Sequence, residues 1–230
     1  MVIFYQITEC ESSSEQSSVC YTVCGGTIIS NNHILTAAHC INTTDSDSIT
    51  IVAGMHEQSS TTEIFTRQVR RVSSVHIHPQ YETIDYSHDI AIIRVDTPLV
   101  YTTYVQPACL PITDPVADDQ IIIVGWGTDQ LGGQPSDVLK QAYSTIVGKC
   151  SSYWPQVDNS AQICVANSDS GDSACQGDSG GPILYLNNNQ YVVAGVASYG
   201  YTCRTSGDYT LPNVYTRVSN YKTWIQSIAT

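Results

Sequence analysis

An all-β fold is predicted from three features of the chain. Short runs rich in Val, Ile, Tyr and Thr recur along it, among them Ile34-Leu35-Thr36, Ile49 to Val52, Ile90 to Val95, Gln120 to Val124 and Tyr191 to Val196. Gly, Pro, Asn, Asp and Ser punctuate these runs, which is the composition of strands joined by turns. Apolar residues fall at helical spacing only at the end, through Val218, Tyr221, Trp224, Ile225 and Ile228, with Ser219 as the candidate N-cap. This pattern suits a barrel or a sandwich and does not fit alternating βαβ units.

Between the strands lie polar loops. Glu11 to Ser18 is a serine-rich stretch flanked by Cys10 and Cys20, and it reads as an exposed loop because it has nothing to bury. Ser46 to Ser48 and Ser59 to Thr62 are shorter segments of the same kind. Asn42-Thr43-Thr44 forms a glycosylation sequon that has meaning only in a secreted protein. His76 and His78 alternate along one segment and are read as surface or turn residues, as are His33 and His56.

The 230 residues suffice for one large β domain or two small lobes. Charged residues are only 13%, so neutral polar side chains cover much of the surface. The net charge of −12 argues against nucleic acid as a partner, since phosphate binding needs clustered Lys and Arg. No apolar run reaches the ~20 residues of a membrane-spanning helix, so no membrane partner is expected. Nine cysteines point to an oxidising compartment. Cys20 and Cys24 lack a second pair at zinc-finger spacing, so no metal ligand set is assigned.

Gly177-Asp178-Ser179-Gly180-Gly181-Pro182 is the most informative segment. Glycines on both sides of Ser179 permit a tight turn and the close approach of a substrate. A serine hydroxyl needs a base, and the base needs an orienting group. His39, in Thr36-Ala37-Ala38-His39-Cys40, and Asp89, in Asp89-Ile90-Ala91-Ile92-Ile93, are the candidates. Their order along the chain, His, Asp, Ser, distinguishes the site from two other known triad orders. With these flanking residues the chain resembles the chymotrypsin-like (trypsin/chymotrypsin family) serine peptidases, from about Met1 to its last residues.

The resemblance implies a single peptidase domain over 1–230, built from two packed six-stranded antiparallel β-barrels with a C-terminal helix. Barrel one would span about 1–108 and barrel two with the helix about 109–230, crossing near Gln106 to Pro111. It implies a secreted serine endopeptidase acting by a Ser-His-Asp acyl-enzyme mechanism, a monomer without cofactor. Its partners would be polypeptide substrates, with protein protease inhibitors as further candidates. Ser179 would be the nucleophile, His39 the base and Asp89 its orienting acid, with Gly177 and Ser179 supplying the oxyanion-hole N–H groups. Ser198 matches the serine that supports the acid. Asp85 and His88, close to Asp89 in sequence, are read as non-catalytic, and Gly125-Trp126-Gly127 as a structural turn.

Family-like bridges are Cys24–Cys40, Cys150–Cys164 and Cys175–Cys203, with Cys10 and Cys20 clipping the serine-rich loop. Cys109 is left over, and in relatives its counterpart often bonds to a propeptide cysteine. The Ile-Val-Gly-Gly terminus that usually pairs with the acid before the serine, here Asp178, does not occur. Signal, propeptide and activation segment are therefore expected upstream of Met1.

For specificity, Ser173 falls at the expected pocket floor, where a neutral residue disfavours buried Arg or Lys. Gly200 leaves one wall open, and Asn213, where glycine is usual, narrows the other. An apolar or aromatic P1 residue (Leu, Met, Tyr or Phe) is expected. Asp172 and Asp208 keep a trypsin-like preference as the alternative, and an inert binding protein on the same fold is the second. The family's calcium loop is poorly matched: Met55 stands where an acid is expected, and Glu57 and Glu63 supply few oxygens.

Overall fold

The structure, a computed structural model, describes residues 1–9, 19–42, 45–167, 173–200, 203 and 211–229, with the side chains of 7–9, 19 and 20 outside the description. The first half forms a closed antiparallel barrel of β1 (Val2–Glu9), β2 (Val19–Ile28), β3 (His33–Thr36), β4 (Ile49–Ala53), β5 (Gln68–Ile77) and β6 (Ala91–Val95). Pairing of β1 with β4 closes it. The second half is a six-stranded sheet of β7 (Gln120–Gly125), β8 (Lys140–Thr145), β9 (Gln162–Val165), β10 (Pro182–Asn187), β11 (Gln190–Tyr199) and β12 (Asn213–Arg217). Its order is β8-β7-β10-β11-β12-β9, and its edges meet at a single Ile146–Val165 bridge, giving a half-closed barrel.

Side-chain alternation explains these strands. In β4, Ile49, Ile51 and Ala53 point into the barrel while Thr50 and Val52 are only partly covered, the period of a half-buried strand. One core spans both halves: Phe4, Leu35, Ile92 and Ile93 of the first barrel pack in the same cluster as Val193, Val196 and Ile225. Between the sheets, Ala108 N–H donates to Ile28 in β2, and Cys109 N–H to Tyr191 in β11. The chain passes from the first sheet to the second between β6 and β7.

The C-terminal helix α1 is shorter than expected, Lys222–Ile228, and a 3-10 turn, Val218–Tyr221, precedes it. Val218, Tyr221 and Ile225 are buried, as their spacing predicts. Ser219 does not cap the helix. Its hydroxyl instead donates to Asp114 Oδ2 at 2.6 Å, where Arg217 Nη1 also binds at 3.0 Å.

His33 is not a surface residue: it is buried in β3, opposite Arg94 of β6, with Nδ1 2.8 Å from Ser30 Oγ. Its pKa is lowered, first by burial and then by Arg94. His56 is exposed. β5 ends at Ile77, so His78 lies beyond the strand, its ring 5.0 Å from that of His88.

Candidate active site

His39 sits in a 3-10 turn, Ala38–Cys40, directly after β3, and the Cys24–Cys40 disulfide ties that turn to β2. The Cys150–Cys164 and Cys175–Cys203 bridges also form, and Cys109 is free; a Cys10–Cys20 bridge lies outside the described residues. Asp89 is completely buried just before β6. Its Oδ1 accepts the His39 backbone N–H at 2.9 Å, and its Oδ2 lies 2.7 Å from His39 Nδ1. Ser198 Oγ, from β11, donates to Oδ2 at 2.5 Å, and Thr216 Oγ1, from β12, donates to the Asp89 carbonyl at 2.7 Å. Groups from both halves therefore hold one carboxylate, which fixes the imidazole through its Nδ1 side.

Ser179 is presented by a turn wedged against the first barrel. Its carbonyl accepts Gly25 N–H at 2.8 Å, and Gly180 N–H donates to Ala197 at 2.9 Å. Gly180 has φ +74°, and a Cβ there would lie 2.2 Å from Thr36 Oγ1 and 2.6 Å from the Gly25 carbonyl. Gly180→Ala is therefore expected to destabilise the fold by about 2 kcal/mol or more, read as a lowered Tm. Gly177 has φ +94°, and neither its N–H nor that of Ser179 meets a backbone acceptor among the described residues. No hydrogen bond joins the Ser179 hydroxyl to the His39 ring. Such bonds are often long until substrate is bound.

Asp178 is buried beside this turn, with Oδ1 accepting Gly127 N–H at 2.8 Å and Oδ2 accepting Cys175 N–H at 2.9 Å. Burial raises its pKa, and those two N–H bonds oppose the rise. A cavity of about 300 Å³ adjoins it, lined by Gly125, Gly127, Thr128, Lys140 and Ser173 among others. Cβ atoms on Gly125 or Gly127 would run into the Asp178 carboxyl, at 1.8 Å and 2.4 Å. Small residues are needed at both ends of that turn.

A second cavity, of about 210 Å³, opens next to Ser179 between Ala174, Cys175, Ala197, Gly200 and Asn213. The Asn213 carboxamide reaches across it: a Cβ on Gly200 would meet Asn213 Oδ1 at 1.7 Å, and Asn213 Nδ2 faces the Ala174 carbonyl at 3.5 Å. Ser173 does not line this cavity. It lines the one beside Asp178, with its buried hydroxyl unpartnered among the described residues. Asn213 lines the space next to Ser179, and Ser173 lines the neighbouring cavity. Asp172 and Asp208 lie outside the described residues.

Sequence reasoning missed a row of aromatic rings leading away from His39. Tyr86 meets His39 edge-on at 5.8 Å, Tyr199 lies 5.6 Å from Tyr86, and Trp154 lies 5.6 Å from Tyr199. Tyr86 has φ +55°, a backbone conformation rare for a residue with a side chain, at the edge of the cleft. Asp85 is exposed and caps its own loop by accepting Ser87 N–H, while His88 pairs with Tyr221 at 3.0 Å. Among the described residues neither side chain is hydrogen-bonded to Asp89 or His39. Cys24, His39 and Cys40 bring three potential ligand atoms within 4.8 Å, but both sulfurs are bonded to each other and offer no thiolate.

The trypsin family model matches residues 7–225. Chymotrypsin-like elastase family member 1 of Canis lupus familiaris is 36% identical, over 90% of this chain and 81% of the relative. The protein of that name from Rattus norvegicus is 35% identical, over 90% and 79%. Venom serine protease 34 of Apis mellifera is 34% identical over 89% of this chain, which spans about half (51%) of that relative. The chain belongs to the trypsin family of serine peptidases and is a serine endopeptidase with polypeptide substrates.

Proposed function

We propose that this endopeptidase cleaves peptide bonds with His39, Asp89 and Ser179 as its catalytic residues. The observation that carries the reading is the buried Asp89 carboxylate holding His39 through both its backbone N–H and its ring. Ser179 Oγ attacks the scissile carbonyl carbon while its proton passes to His39 Nε2. The tetrahedral oxyanion is stabilised by the N–H groups of Gly177 and Ser179. His39 then gives the proton to the leaving amine, an acyl-Ser179 ester remains, and water activated by His39 hydrolyses it. Asp89 stays ionised throughout, stabilising the imidazolium. Ser198 supports Asp89 through its hydrogen bond.

The substrate side chain enters the cavity beside Ser179, in this reading apolar: Leu, Met, Tyr or Phe. Asn213 narrows that cavity and favours the aliphatic members of the set. Digestion of a diverse peptide library, read by mass spectrometry, is expected to show dominant cuts after Leu or Met. Asn213→Gly is expected to raise cleavage after Phe and Tyr roughly tenfold or more, as removal of a pocket obstruction does. Dominant cuts after Arg or Lys would sink the apolar assignment.

The protein acts outside the cell as a monomer in this proposal, open to protein inhibitors at the same cleft. The three disulfides among the described residues support an oxidising compartment, and no described helix is long and apolar enough to cross a membrane. Residues of about 1–108 and about 109–230 are its two lobes. Asp178 takes a cationic partner lodged in the adjoining cavity. Its raised pKa means the folded state prefers the neutral acid. The carboxyl therefore weakens the fold as pH rises past that pKa, and a buried cation reverses the penalty.

A further inference from the structure

Residues 55–67 form a loop beside β1 whose backbone is gathered around a single side chain. Arg67 Nη2 donates to the carbonyls of Glu57 and Gln58, the latter at 3.0 Å, and lies 3.8 Å from Glu63 Oε2. The Glu63 carboxylate in turn accepts the N–H of His56 at 2.8 Å and that of Glu57 at 3.1 Å. These bonds, that from His56 first, hold its pKa below the usual carboxylate value. Two carbonyls and a carboxylate facing one point attract a cation, yet they are fewer than the six to eight oxygens that Ca²⁺ takes. Here the convergence point is already a nitrogen of a permanently charged guanidinium. Met55, at the loop's start, is buried against Ile3 and Trp126 and offers no oxygen.

The same loop carries most of the polar contact to the segment that precedes β8. His56 O accepts both Trp126 Nε1 at 3.0 Å and Leu139 N–H at 2.8 Å. Gln58 N–H donates to the Asp137 carbonyl at 2.7 Å and Gln58 Nε2 to that of Ser136 at 2.8 Å. Ser59 binds the Asp137 carboxylate through its N–H and its hydroxyl, at 2.8 and 2.6 Å. Ser136 N–H returns to Trp126 O at 2.9 Å, and the next residue, Gly127, donates to Asp178 Oδ1. A continuous set of hydrogen bonds therefore leads from Arg67 to the residue before Ser179.

We infer that Arg67 is the resident cation of this loop, standing where a bound Ca²⁺ would otherwise be needed, and that it is a positioning residue for the Gly127–Asp178 contact. The loop is consequently independent of added calcium. Removing the charge loosens residues 56–59, and with them the clamp on residues 136–139 and Trp126. The cost falls on the Asp178–Ser179 turn and not on the substrate cavity. Because the contacts converge on one nitrogen, a lysine ammonium can substitute where a neutral side chain cannot.

The positioning half of this inference rests on the proposed active site; the calcium half does not. Melting of the wild-type protein is expected to be the same in EDTA and in millimolar Ca²⁺. Arg67→Met is expected to lower kcat about tenfold, the size of effect seen along coupled networks, with KM nearly unchanged. Arg67→Lys is expected to restore most of that loss. Wild-type protein that melts lower in EDTA and recovers with Ca²⁺ would overturn the assignment, as would Arg67→Met with wild-type kcat or with a change in KM alone. Should Arg67→Met fail to fold, kcat of the lysine variant and the EDTA melt still decide. A loss of all activity in Ser179-intact wild type would count against the active-site reading instead, leaving the melt to judge Arg67.

Discussion

Ser179→Ala is expected to lower kcat by about six orders of magnitude while leaving the melting temperature almost unmoved. The first half of that expectation follows from chemistry: without the hydroxyl no acyl-enzyme forms, and only the oxyanion donors and substrate binding remain. The second follows from the structure. The residue's packing role is carried by its backbone, through the Gly25 N–H bond to its carbonyl, and alanine keeps that bond. Steady-state kinetics on a peptide substrate beside a thermal melt separates the two. A variant that retains more than a small fraction of turnover would show that another group attacks.

Asp89→Asn is expected to reduce kcat by about 10⁴-fold, the scale known for this change in a serine peptidase triad. The geometry gives the reason. Oδ1 accepts the His39 N–H, and Oδ2 faces both His39 Nδ1 and the Ser198 hydroxyl. An asparagine can keep an acceptor on one side only. If its oxygen serves the backbone N–H, its NH₂ faces Nδ1 and forces the proton onto Nε2, the wrong tautomer for accepting from Ser179. If it flips, the buried His39 N–H meets a donor and the turn loses about 1–3 kcal/mol. A pH–rate profile together with the melt distinguishes these outcomes, and activity within tenfold of wild type would contradict the role given to Asp89.

The strands were legible because a half-buried strand writes its period into the sequence, as in Ile49-Thr50-Ile51-Val52, and because Gly, Pro and Asn mark where pairing stops. The candidate triad was legible through its neighbours: Gly180 must be glycine to fit against Thr36 and Gly25, so the requirement is visible before the fold is known. The aromatic row was not. Tyr86, Trp154 and Tyr199 are far apart in the chain, and only the packing of the two halves brings their rings together. Counting residues back from Cys175 located Ser173 in the chain without saying which cavity its side chain would enter. His33 was misread because a histidine opposite Arg94 in a closed barrel is shielded by the fold itself. Arg67 carries no motif in the sequence, because only the folded loop turns the carbonyls of Glu57 and Gln58 toward it.

The most direct test is to treat the natively processed enzyme with a fluorophosphonate and map the modified peptide by mass spectrometry. A stoichiometric adduct on Ser179, absent from the alanine variant and suppressed by Asp89→Asn, is the predicted result. An adduct on a different serine, or equal labelling when Asp89 is replaced, would contradict the account.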